Sequence, residues 1–100
     1  MTDLCLTLLC PPAVEEKVLD TLLMLSQALV FTSTPTAAHG LAMGGLSQAE
    51  QVMGRADATE VRVVFPADEK DRLLGELRSQ LAGAGLRYWL TPVLEAGDIA

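Results

Sequence analysis

The chain has 100 residues, of which half are apolar, four are aromatic and twenty are charged. This is the composition of one globular domain, close to the lower size limit for a self-sufficient core, so size alone favours assembly with other copies. Seven Lys and Arg against thirteen Asp and Glu leave a net charge of −6, which argues against nucleic acid as the partner and against a polybasic membrane attachment.

Leu4 to Cys10 is a short apolar run stopped by Pro11-Pro12, which predicts a strand. It falls far short of the roughly 20 residues that span a bilayer, and Met1-Thr2-Asp3 lacks the positive start of a signal peptide. A cytoplasmic location with no direct membrane insertion is the expectation. Cys5 and Cys10, five apart on an extended segment, point to opposite faces and read as unpaired thiols in a reducing compartment. Ala13 to Ser26 carries a helical period, with Val14, Val18, Leu22 and Leu25 in one stripe and Leu19 and Leu23 widening it. Pro12 suits the first turn, and Glu15 and Glu16 suit the helix dipole.

Ala28 to Thr34 is rich in β-formers and is expected to end at Pro35. Residues 35–58 form a long segment rich in Gly, Ala, Ser, Thr and Gln, within which Ser47 and Glu50 have capping-box spacing for a helical turn over Ser47 to Val52. A connection of about 24 residues in so small a domain is functional more often than incidental. Thr59 to Phe65 alternates, with Val61, Val63 and Phe65 on one face and Glu60, Arg62 and Val64 on the other, and Pro66 ends it. Asp68 to Leu81 is a second amphipathic helix with Leu73, Leu77 and Leu81 in a row and Leu74 beside it, stopped by Gly83 and Gly85. Leu86 to Leu94 is a last strand, placed at an edge by Pro92, and Glu95 to Ala100 is a tail.

The order β-α-β-loop-β-α-β with right-handed crossovers gives an α+β, ferredoxin-like βαββαβ fold: one domain over residues 1–100, a four-stranded antiparallel sheet with both helices on one face. The other face carries Cys5, Leu9, Val30 and Val64 among Thr7, Thr32 and Arg62. That is more apolar than a solvated sheet face, and burial against other copies is expected.

Several chemistries of this topology are absent. The loop after the first strand holds one thiol rather than a Cys-x-x-Cys pair, and the central strands lack the aromatics with which an RNA-binding sheet stacks bases. The lone histidine, His39, has no evident nucleophile to serve; turn-forming and capping roles account for Ser33, Thr34 and Ser47. An enzyme is not expected. His39 shares its loop with Met43 and Met53, and Cys5 or Cys10 could approach it, a soft set suited to Cu(I); His with a carboxylate suits a divalent ion such as Zn²⁺.

The element order and the long loop resemble the PII-like signalling proteins, the superfamily of the nitrogen regulator PII and CutA. In those proteins the corresponding T-loop binds partners. Ala49-Glu50-Gln51-Val52-Met53-Gly54 matches an Ala-Glu-x-x-x-Gly stretch late in that loop, and the strand leading to Cys10-Pro11-Pro12 is similar to the PII strand ending in Lys-Pro. Cys10-Pro11-Pro12, His39-Gly40, Leu46 to Arg55, Gly85 to Trp89 and Pro92 to Glu95 resemble a small bacterial subgroup called PII-NG, whose genes tend to lie beside heavy-metal efflux pumps. The resemblance implies a T-loop-like segment at 35–58, a homotrimer and a role in metal homeostasis, with a membrane efflux-pump component as partner. Two departures limit it. The PII Thr-Gly-x-x-Gly-Asp-Gly-Lys loop is reduced to Ala82-Gly83-Ala84-Gly85-Leu86-Arg87, which argues against a PII-style ATP or ADP site, and Val52 stands where some PII proteins carry a modified tyrosine.

Three readings follow. The first is a trimeric regulator in which a small ligand orders the loop. Arg62 and Arg87 would anchor an anion beside His39, Gly40 and Gly54 would give the loop freedom, and Leu46, Glu50, Gln51, Gly54 and Arg55 would meet the partner. The second is a metal-binding accessory protein with His39 as central ligand and Met43, Met53, Glu50 or symmetry mates completing a site. The third is an interaction module without ligand, with Tyr88 or Trp89, whichever faces outward, at an interface.

Overall fold

The structure, a computed structural model, describes residues 2–25, 30–40 and 55–100. The elements are β1 (Asp3–Cys10), α1 (Glu15–Leu25), β2 (Phe31–His39), β3 (Arg55–Pro66), α2 (Lys70–Leu81) and β4 (Arg87–Val93). A 3₁₀ turn precedes each helix, at Pro12–Val14 and Ala67–Glu69. Both turns follow a proline in extended conformation, Pro11 (φ −60°, ψ 144°) and Pro66 (φ −64°, ψ 137°). A fixed φ and a missing N–H suit the point where a strand gives way to a helix.

The strands form one antiparallel sheet in the order β2-β3-β1-β4. This is the expected ferredoxin-like arrangement, with β1 and β3 central. Alternation divides each strand between two faces. Leu6, Leu8 and Cys10 of β1 and Val61, Val63 and Phe65 of β3 pack into one core with Val18 and Leu22 of α1 and Leu73, Leu74, Leu77 and Leu81 of α2. Burying a Leu, Val or Phe side chain contributes roughly 1.5–3 kcal/mol, so this two-layer core supplies most of the driving force.

Two strand boundaries and one core residue differ from expectation. β2 does not end at Pro35 but runs on to His39, and β3 begins at Arg55 rather than Thr59. β2 is an edge strand, where a proline can turn its missing donor away from the ladder. β4, the other edge, carries Pro92 for the same reason. The segment 35–58 is therefore strand at both ends. Its remainder beyond Gly40 lies outside the described residues, and with it Met43, Leu46, Glu50, Gln51, Met53, Gly54 and the helical turn expected over Ser47 to Val52. Leu23 is 61% exposed. It lies about 140° around the helix from Val18, outside the buried stripe.

Among the described residues no helix is long and apolar enough to cross a membrane. Cys5 and Cys10 are free thiols on opposite faces of β1, as the strand period requires.

Candidate functional site

The uncovered face of the sheet is laid out by register. One row runs Thr32, Arg62, Thr7, Trp89 across all four strands. The next runs Thr34, Glu60, Leu9, Arg87, and a third holds Val64, Cys5 and Thr91. Cys5, Leu9 and Val64 are half-buried, Trp89 is exposed, and Thr7 is 4% exposed although α1 and α2 pack on the other face. Val30, grouped with this face by sequence, is exposed just ahead of β2.

Arg62 and Arg87 do share this face. They stand two strands and two residues apart, roughly 12 Å by ordinary sheet spacing. Arg62 Nη2 lies 3.5 Å from Glu60 Oε1, with the arginine side chain 62% exposed. A solvent-exposed pair of this kind is worth about 0–1 kcal/mol, so an arriving anion can compete with it. His39 is not brought to them. It ends β2 opposite Arg55, seven residues along the strand from the Arg62 row, or roughly 23 Å. Gly40 follows at φ +79°, a conformation natural to glycine as the chain leaves the strand. Within one chain the expected ligand group therefore splits into an arginine pair on the sheet and a His39–Gly40 corner at the far end of the β2–β3 ribbon.

The thiols do not join His39. Cys10 is buried, its Sγ 3.6 Å from the Thr59 carbonyl oxygen, and burial together with the negative charge of Glu15 raises its pKa above the ordinary cysteine value. A protonated, buried thiol is a poor metal ligand and a poor nucleophile. Among the described residues no three His, Cys, Asp or Glu side chains gather as a metal centre would require.

A second concavity lies on the helix side of the sheet, where α2 ends and β4 begins. Its volume is about 390 Å³. Leu8 lines it from the sheet, Leu77 and Leu81 from α2, and Leu86 from the connecting turn. Arg78 and Tyr88 also line it, with Arg78 Nη2 donating to the Tyr88 hydroxyl at 2.9 Å and the guanidinium 5.9 Å from the ring centroid. Sequence reasoning placed Tyr88 and Trp89 on opposite faces but passed over Arg78. Its signal was position: an arginine in the last turn of a helix that points four leucines inward, ten residues before the chain's lone tyrosine.

No curated protein matches the sequence. The family model described as a protein of unknown function, DUF3240, matches residues 1–100. The chain belongs to the DUF3240 family. It is similar to the crystal structure of a DUF3240 family protein from Shewanella baltica, at 19% identity and a TM-score of 0.81, covering 100% of this chain and 99% of that one. It is similar also to CPII, a nitrogen regulatory PII-like protein from Thiomonas intermedia determined with ADP, AMP and bicarbonate, at 13% identity and a TM-score of 0.72, covering 99% and 98%. A PII-like signalling protein from Thermus thermophilus matches at 16% identity and a TM-score of 0.65, covering 93% and 88%. At these identities the likeness establishes a PII-like fold.

In this DUF3240 chain the turn after α2 is tight. Gly83 and Gly85 take φ +80° and +78°, and the Ala84 N–H returns to the Leu81 carbonyl at 3.1 Å. The turn brings Arg87 into the sheet within two residues of Gly85.

Proposed function

We propose that this DUF3240 protein is a PII-like regulatory or ligand-sensing protein rather than an enzyme. It assembles as a homotrimer through the uncovered sheet face and acts on a partner through the segment between β2 and β3. The observation that carries the reading is the PII-like fold over nearly the whole chain, with a sheet face that keeps Cys5, Thr7, Leu9 and Val64 partly or wholly shielded although α1 and α2 pack on the other face. In a threefold arrangement one chain's Arg62 and Arg87 come near a neighbour's edge, and an anion held there would be sensed at the base of the ribbon that carries His39 and Gly40.

The ligand divides into two arms. CPII was determined with ADP and AMP, which supports an adenine nucleotide even though Ala82 to Arg87 lacks the acid and lysine of the PII phosphate loop. The likeness to the PII-NG subgroup supports a link to heavy-metal efflux, with Cu(I) or a divalent ion as signal and a membrane pump component as partner. Three copies of His39 would be the ligands. Native mass spectrometry of the full chain, alone and with ADP, AMP, Cu(I), Zn²⁺ and Ni²⁺, tests both arms. A trimer that takes up three nucleotides supports the first. A trimer that takes up metal, and loses it on His39→Ala, supports the second. A monomer that takes up neither overturns the proposal.

A further inference from the structure

The helix-side cavity is lined in part by Ala82, Gly83, Gly85 and Leu86, the turn set above against the PII phosphate loop. It lies across the sheet from Arg62 and Trp89, and its wall comes from elements of a single chain. We infer that it is a binding site for a small organic anion with an apolar body, an aryl or medium-chain aliphatic carboxylate or sulfonate. The apolar body would sit against Leu8, Leu77, Leu81 and Leu86, and the anionic head would sit on Arg78 and Tyr88.

Three observations carry this. The first is size and lining. About 390 Å³ lies at the lower end of the range for small-molecule sites. A cavity of roughly 150 Å³ already accepts benzene, so there is room for one or two rings or an eight- to ten-carbon chain. The leucines that line it come from the buried core, so its wall is held in place by the packing of the fold.

The second is charge. The chain carries thirteen Asp and Glu, yet none lines this cavity, while an arginine does. Among the described residues Arg78 is paired with the Tyr88 hydroxyl rather than with a carboxylate, whereas Arg62 and Arg72 are paired with Glu60 and Glu69. In a protein of net charge −6 an arginine paired in this way beside an apolar cavity selects for an anion over a neutral or cationic ligand.

The third is geometry. Arg78 is held by its donation to the Tyr88 hydroxyl, with its guanidinium carbon 5.9 Å from the ring centroid. The hydroxyl that accepts this bond keeps its own proton to donate, and the guanidinium keeps four further N–H donors. The two polar side chains in the lining thus stand within hydrogen-bond distance of each other and both keep donors for a carboxylate or sulfonate head.

The test is a fluorescence titration of the full chain with 8-anilinonaphthalene-1-sulfonate, an anion with an aromatic body, followed by competition with sodium decanoate and with decanol. Saturable binding of one probe per chain is expected, with displacement by decanoate and not by the alcohol. Arg78→Gln removes the charge while keeping an unbranched polar side chain, and should weaken binding by about tenfold or more. Ala82→Trp, a substitution at an exposed position lining the cavity, should block binding while leaving far-UV circular dichroism unchanged. Absence of probe binding, equal displacement by decanol, or titrations unaffected by either variant would each overturn the assignment. Trimer formation and metal uptake do not enter this readout, and ADP is run as a further competitor because the cavity shares the turn at Ala82 to Leu86 with the nucleotide reading; displacement by ADP as strong as by decanoate would overturn the assignment, whereas loss of the trimer alone would not.

Discussion

The two faces of the sheet are written by the same strands in alternating letters, yet they have different fates. On one face Leu6, Leu8, Val61, Val63 and Phe65 are sealed beneath two helices. On the other, Thr7 is as well shielded as many core residues, while Arg62 and Trp89, its cross-strand neighbours, stand open. The sealed face is chemically uniform and fixes the fold. The open face mixes thiol, hydroxyl, aliphatic, aromatic and charged side chains, which is a poor recipe for a core and a reasonable one for a surface that recognises something.

The contrast can be broken most severely from the sealed side. Phe65→Ala removes the largest fully buried side chain and should cost about 3–5 kcal/mol in urea unfolding. Leu9→Lys places a charge between Glu60 and Arg87 on the open face. It should leave the circular dichroism spectrum intact and convert the proposed trimer to monomers in native mass spectrometry; a trimer that survives it would move the interface elsewhere.

The contrast is sharpened by pH. Cys10 faces the helices, and its pKa is raised in the folded state, chiefly by burial and then by Glu15. The folded thiol therefore keeps its proton at a pH where the unfolded thiol has lost it. Its stabilising contribution is complete below the ordinary cysteine pKa and is lost as pH rises above that value, until the folded pKa is passed. Unfolding free energy should fall as pH rises above the ordinary cysteine value, by at most about 1.4 kcal/mol per pH unit from this group, and Cys10→Val should remove that share of the slope. The smallest effect belongs to the solvent side of α2. Glu69→Gln, which breaks the exposed pair with Arg72 at 3.1 Å, should change stability by no more than about 0.5 kcal/mol in the same assay.

Much of the sealed face was legible in the sequence. Val61, Val63 and Phe65 alternate without interruption, and Leu73, Leu77 and Leu81 repeat every four residues, so period alone assigned them to the core. Leu23 misled because a leucine next to a buried leucine looks like part of the stripe until its angle is counted. Pro35 misled in a different way. A proline ends a central strand but not an edge strand, and which strand lies at the edge is a property of the whole sheet. The arginine pair was legible as two positions of matching phase, whereas its separation from His39 was not, because that depends on how far β2 runs. The cavity was hidden for the same kind of reason: Arg78 and Tyr88 meet through the turn at Gly83 and Gly85, and no single-element period reports a contact across a turn.

The unequal lengths of the strands have a mechanical consequence. β1 stops at Cys10, opposite Thr59, whereas β2 and β3 continue as a pair out to His39 and Arg55. Four residue steps of ribbon make an arm of roughly 13 Å beyond the Cys10–Thr59 corner, with Ala38, Ala56 and Ala58 buried along it. A tilt of about 15° at that corner would carry the tip through roughly 3 Å, given the rise per residue of a strand. Such a tilt would turn a small rotation at the corner into a step about the length of a hydrogen bond at the end of the arm.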